Sequence, residues 1–150
     1  MTNHAARLLL LITGVCLALL LAACGAATQT QALAVGEVVK TEAGNQYRDV
    51  TADELKAMMD QKDFFLVDVH VPNEGRLPQL DARIPYDEIA DNLNALPADK
   101  SAKIVLTCKG GGMSASASTT LADLGYSNVY NLKGGFVAWK DKGYEFMQEP

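Results

Sequence analysis

The chain has 150 residues, enough for one domain beyond any targeting segment. Its 13 basic and 18 acidic residues leave a net charge of −5, which removes the electrostatic basis for nucleic-acid binding and supplies no polybasic patch for an anionic membrane. The first 23 residues read as a secretory signal, with Arg7 in the n-region, an apolar run at 8–20 and small residues before Cys24. That run is shorter than the about 20 residues of a membrane-spanning helix. An uncleaved N-terminal anchor is the alternative reading.

LAAC at 21–24 resembles a bacterial lipobox, which implies cleavage before Cys24 and lipidation of its sulfur. The resemblance places the domain on the extracytoplasmic face of a cell membrane, periplasmic or outer surface. Loss of Arg7 with the signal moves the net charge to −6. Cys16 leaves with the signal and Cys24 is consumed by lipid, so Cys108 is the remaining thiol and no internal disulfide can form. A leftover thiol in an exported protein points to chemical reactivity or intermolecular pairing. Residues 24–46 carry the lipidated cysteine and an Ala-, Thr-, Gln- and Gly-rich stretch that reads as a flexible tether with a span of about 25 Å. VGEVVK at 35–40 reads alternatively as a short strand.

The domain is assigned to residues 47–150. YRDV is a strand candidate, and Thr51 with Glu54 forms the T-x-x-E of a capping box opening a helix that runs to about Gln61. Met58 and Met59 are core filler there. FFLVDV at 64–69 suits a strand buried on both faces. An irregular loop leads to Ile84, and a helix is expected from Tyr86 to Ala95, stopped before Pro97. KIVLT at 103–107 is a second buried strand and delivers Cys108 at its carboxyl end. The pattern predicts a helix from Ser114 to Leu124, with Ala117, Leu121 and Leu124 on one face and Gly125 closing it. VYNL at 129–132 is another strand, followed by a turn and a last short helix in which Phe136 and Trp139 serve packing. This alternation predicts an α/β fold with a mostly parallel central sheet covered by helices on both faces. Ligands of such sheets bind beyond the carboxyl ends of the strands, where Cys108 falls.

The stretch CKGGGMS, 108–114, carries the chemistry. Three glycines let the backbone curl with its N–H groups inward, and the following helix adds the positive end of its dipole. Such a cradle favours a thiolate and makes Cys108 a nucleophile. A buried structural cysteine before a tight turn is the simpler alternative. The same cradle holds phosphate in cysteine phosphatases, but those resemble C-x5-R, and Ser114 stands at the arginine position with Met113 before it. Neither side chain makes the two-pronged contact of a guanidinium with phosphate.

Taken together, LVDV at 66–69, Ile84–Pro85, IVLTCKGGGMSA at 104–115 and LADLGYSNVYNLKGGFVAW at 121–139 resemble a single-domain rhodanese-like sulfurtransferase over about residues 47–146. The resemblance implies that Cys108 takes the outer sulfur of thiosulfate or a persulfide, becomes Cys–S–SH, and passes that sulfur to a thiol, cyanide or sulfite. Lys109, Gly110, Gly111, Gly112, Met113 and Ser114 would form the loop that stabilises the added sulfur through backbone N–H groups. The implied partners are a small sulfur donor and acceptor, or a thiol-bearing protein. No metal or organic cofactor is implied.

Three departures stand out. Met113 occupies a position where many members of the family carry arginine, so thiosulfate is expected to be a poor donor. Asp68, Val69 and His70 replace the frequent D-V-R, and GRLPQLDA at 75–82 replaces G-H-I-P-G-A. His70 reads either as a donor to an incoming anion or as a structural group bonded to a carboxylate. Asp68 is expected to brace the loop, and Glu74 and Arg76 to line the mouth. Two functional alternatives to an enzyme remain: a sulfur or redox carrier without general turnover, and a protein-interaction module in which the thiol is incidental.

Overall fold

The computed structural model describes residues 35–149. In chain order the elements are β1 (Glu37–Lys40), β2 (Gln46–Val50), α1 (Ala52–Met59), β3 (Phe65–Asp68), β4 (Ala82–Arg83), a 3-10 turn (Leu93–Ala95), β5 (Ile104–Thr107), α2 (Gly112–Asp123), β6 (Val129–Leu132) and α3 (Gly135–Asp141). The strands form one sheet in the order β1-β2-β6-β5-β3-β4. Among the strands of the described residues, β1 and β2 pair antiparallel and the other neighbours pair parallel.

The central strand, β5, explains why its sequence is an unbroken apolar run. It lies between β3 and β6, with Val105 opposite Leu66 on one side and Tyr130 on the other. Both of its faces are covered, so all four residues are buried. Ile104 and Leu106 point into the cluster holding Ala117 and Leu121 of α2, whereas Val105 joins Leu55 of α1 and Phe136 and Trp139 of α3. Alternation then puts Cys108 in phase with Ile104 and Leu106, on the α2 face. Each fully buried side chain of this kind contributes about 1.5–3 kcal/mol, more than strand propensity can, so packing on two faces holds β5 in place.

The α/β fold with helices on both sheet faces is therefore as expected. The capping box of α1 is formed: Thr51 Oγ1 accepts from the N–H of Glu54 at 3.2 Å, and Glu54 Oε2 accepts from the N–H of Thr51 at 2.8 Å. Three expectations are corrected. The folded sheet begins inside the segment assigned to the tether, because the strand alternative at 35–40 is formed as β1 and closes on β2 through a turn in which Thr41 N–H donates to Asn45 O at 2.9 Å. No α-helix forms from Tyr86 to Ala95. The N–H groups of Glu88, Asp91, Asn92, Ala95 and Leu96 each bond the carbonyl three residues back. The Asn92 side chain takes the Glu88 carbonyl that an α-helix would need, at 2.9 Å. Leu124 is 37% exposed rather than packed with Ala117 and Leu121, since the helix has already ended and the chain turns at Gly125. The signal segment expected at residues 1–23 and the lipidation expected at Cys24 lie outside the described residues.

Two glycines bring the loop after β5 against the start of α3. Gly135 has φ +56°, and a Cβ there would stand 2.0 Å from the carbonyl oxygen of Cys108. Gly111 has φ +89°, and a Cβ there would stand 2.7 Å from the backbone nitrogen of Gly134. That proximity lets Phe136 N–H donate to Cys108 O at 2.9 Å and Val137 N–H to Lys109 O at 3.0 Å. The orphan donors of α3 thus hold the cysteine loop. Gly135→Ala is expected to cost at least about 1–3 kcal/mol from its left-handed backbone alone, and more from the overlap. Gly112→Ala should be nearly neutral, since a Cβ there meets nothing within 4 Å. Urea denaturation of both variants checks this, and equal midpoints would contradict it.

Candidate active site

Cys108 stands one residue beyond β5, at the carboxyl edge of the parallel strands, and is 1% exposed. Its Sγ accepts from the N–H of Gly111 at 3.1 Å, from the N–H of Ser114 at 3.4 Å and from Ser114 Oγ at 3.3 Å. The left-handed turn at Gly111 and the first turn of α2 aim these donors at the sulfur. Ser114 has a second acceptor, the Gly111 carbonyl at 3.2 Å, so its one hydroxyl proton is divided between them. A charged sulfur draws it, because charge-assisted bonds are the stronger ones. Of the predicted loop, Gly111 and Ser114 thus bond the sulfur. Lys109, Gly110, Gly112 and Met113 line, with His70, an open pocket of about 350 Å³ above it. Such a cup stabilises negative charge on sulfur without reorganising.

The predicted outer residues divide. Asp68, at the end of β3, accepts from the N–H of His70 at 3.0 Å and from Arg83 Nε at 3.3 Å. It braces the loop, as expected. Burial pushes its carboxyl above the usual range, against the opposing effects of the His70 N–H and Arg83. Glu74 accepts from Lys109 Nζ at 2.8 Å, and that lysine holds its carboxyl below the usual range. Lys109 is therefore a paired charge at the rim rather than a cation waiting for a substrate.

His70 is 6% exposed and stands edge-on to Phe136, with ring centroids 5.3 Å apart. Neither ring nitrogen has a hydrogen-bond partner among the described residues, and Nε2 lies 3.7 Å from Glu74 Oε1. Glu74 is thus the carboxylate that stands against the His70 ring, at ion-pair rather than hydrogen-bond distance.

Arg76 does not line the pocket. Its backbone bridges Met147, with N–H to O at 2.8 Å, and its side chain turns to Glu149 at 3.2 Å. The residue that sequence reasoning missed is Arg83 on β4. It joins Asp68 to Glu149, whose Oε2 accepts from Nη1 at 3.0 Å, and donates to the Gly75 carbonyl at 3.2 Å. The parallel register that puts Arg83 opposite Asp68 is a property of the sheet; the signal in the sequence was only an arginine next to Ile84–Pro85. The GG pair at 134–135 was visible, but its close approach to Cys108 was not.

Comparison with known proteins agrees with this geometry. A profile of the Rhodanese-like domain matches residues 51–142. The chain is 30% identical over 117 residues to mouse thiosulfate sulfurtransferase/rhodanese-like domain-containing protein 3, an alignment covering 68% of this chain and 73% of that protein. It is 33% identical over 89 residues to a sulfurtransferase of Allochromatium vinosum, covering 57% of this chain and 80% of the relative. Among solved structures, a rhodanese-related protein of Thermoplasma volcanium superposes with a TM-score of 0.59 at 29% identity, over 69% of this chain and 100% of that one. The profile spans the glycine loop that bonds the Cys108 sulfur and the α3 start that bonds its carbonyl, and the chain belongs to the rhodanese-like domain family.

Proposed function

We propose that this chain is a sulfurtransferase that carries sulfane sulfur as a persulfide on Cys108, tethered by lipid on Cys24 at the extracytoplasmic face of a membrane. The observation that carries the enzymatic part is the trio of bonds to the Cys108 sulfur from Gly111 N–H, Ser114 N–H and Ser114 Oγ. The relatives named as sulfurtransferases support it, and LAAC at 21–24 supports the tether. In the first step the Cys108 thiolate attacks the outer sulfur of the donor, and the rest of the donor leaves with the bonding electron pair. In the second an acceptor takes that sulfur and Cys108 leaves as thiolate. No resident cofactor takes part.

The rim favours one donor class. Met113 brings no charge, and Lys109 is already engaged by Glu74. A persulfide, whose outer sulfur is bound to a small or protein-borne thiol, suits this pocket better than the thiosulfate dianion. The same feature favours, as a second reading, a carrier that accepts persulfide and turns over slowly with small acceptors.

The test incubates the 150-residue chain with thiosulfate and, separately, with glutathione persulfide. Intact mass and cyanide-dependent thiocyanate release are then recorded. A gain of one sulfur that cyanide removes, absent in Cys108→Ser, is the expected result, with the persulfide the faster donor. No added sulfur from either donor would remove the sulfur-transfer reading. Glu74→Gln releases Lys109, so thiosulfate use should rise by roughly two- to fivefold, the scale of one partly exposed charge contact. The gain should fade with added salt.

A further inference from the structure

One carboxylate oxygen stands between two basic side chains at the mouth of the Cys108 pocket. Glu74 Oε1 accepts from Lys109 Nζ at 2.8 Å and lies 3.7 Å from His70 Nε2. Lys109 and His70 both line the pocket above Cys108. They differ in solvation. The Lys109 side chain is half exposed, whereas both ring nitrogens of His70 are buried without a hydrogen-bond partner among the described residues. A buried imidazolium needs a counter-charge beside it, and Glu74 is the carboxylate that Nε2 faces. The other groups around the ring are already engaged or apolar. Asp68 of β3 accepts the His70 backbone N–H at 3.0 Å and is paired with Arg83 of β4. α3 presents the Phe136 ring, with centroids 5.3 Å apart, and the loop after β5 supplies Cys108 and Lys109.

We propose that His70 and Glu74 select visitors to the Cys108 pocket by charge, under the control of one proton. With His70 neutral, Glu74 cancels Lys109 and the mouth favours a donor of low charge. With His70 protonated, one carboxylate is shared between two cations and the mouth admits an anionic donor such as thiosulfate. Naming the visitor a sulfur donor rests on the sulfur-transfer reading of Cys108; the selection by charge does not. Charge counting carries the argument. Glu74 and Lys109 sum to zero, and adding the imidazolium leaves one net positive charge at the rim. The proton comes from solvent to a ring nitrogen, and no other covalent bond forms or breaks. Histidine makes this change between about pH 5 and 8, so the mouth becomes more receptive to anions as pH falls. Lys109 holds the Glu74 carboxyl below the usual range, which keeps Glu74 charged for both partners.

Two alkylating agents of similar size isolate the effect of charge. Iodoacetate and iodoacetamide attack a thiolate by the same displacement and differ by one negative charge, so the ratio of their rates cancels the ionisation of Cys108. The 150-residue chain and its His70→Phe and Glu74→Gln variants are treated at pH 8 and at pH 5, and labelling is followed by the mass of the Cys108 peptide. Melting curves establish that each variant is folded. In the unaltered chain the iodoacetate-to-iodoacetamide ratio should rise roughly two- to fivefold from pH 8 to pH 5, the scale of one partly exposed charge contact. His70→Phe keeps a ring against Phe136 and has no nitrogen to protonate, so the rise should vanish. Glu74→Gln should give a high ratio already at pH 8. A flat ratio in the unaltered chain, or a Cys108 that neither reagent reaches, would overturn the selection. So would a rise that survives in His70→Phe, which would belong to another group such as Asp68, whose carboxyl burial pushes upward. Sulfur loading from thiosulfate should show the same acid-side gain. If neither thiosulfate nor glutathione persulfide loads sulfur while the alkylation ratio still rises, the sulfur-transfer reading falls and the charge selection stands.

Discussion

The carbonyl oxygen of Cys108 accepts the N–H of Phe136 at 2.9 Å while its sulfur accepts the N–H of Gly111 at 3.1 Å. One residue is held at both ends by backbone donors, and most of the site follows from that constraint. The carbonyl bond requires α3 to start against the loop, which requires Gly135 where a Cβ would collide. The sulfur bonds require the left-handed turn at Gly111, and that turn requires close passage beside Gly134. β5, packed on both faces, sets the height at which the loop begins. Donors placed by folding need not be recruited at each turnover, which is the physical advantage of backbone over mobile side chains.

Charge is arranged around this cup in pairs. Asp68 with Arg83, and Glu74 with Lys109, tie the loops of neighbouring strands together at the rim. Arg83 reaches on to Glu149, so the last described residues of the chain fasten the same edge. The pairing leaves no unengaged side-chain cation among the described residues of the pocket lining, and Met113 adds none. The cup therefore offers backbone dipoles rather than an unengaged side-chain cation to charge on the sulfur, the feature on which the proposed preference for a persulfide donor rests.

The sequence made local constraints legible and hid those that depend on register. The mostly apolar runs at 64–69 and 103–107 pointed to strands buried on both faces, because they are too short for a typical helix and rich in β-branched and aromatic residues. Thr51 and Glu54 marked a helix start through bonds that close within one turn. The three glycines beside Cys108 exposed the cup, since left-handed backbone is a single-residue property at Gly111. The stretch from Tyr86 to Ala95 misled because its apolar spacing is compatible with a helix, while side-chain capture of the Glu88 carbonyl by Asn92 favours tighter turns. β4 has two residues and no periodicity to read. Choosing Arg83 over Arg76 as the residue that braces the rim required knowing that Arg83 faces Asp68 across parallel strands.

In the proposed chemistry the N–H groups of Gly111 and Ser114 hold charge on the Cys108 sulfur. The most direct measurement is the amide proton chemical shift of these two residues, by heteronuclear NMR, as the Cys108 thiol is ionised and then loaded with sulfur. Both resonances should move downfield together when the sulfur becomes charged, and neither should do so in Cys108→Ala. Resonances of Gly111 and Ser114 that stay in place through ionisation would contradict the account, because the cup would then not be bonded to the sulfur it encloses.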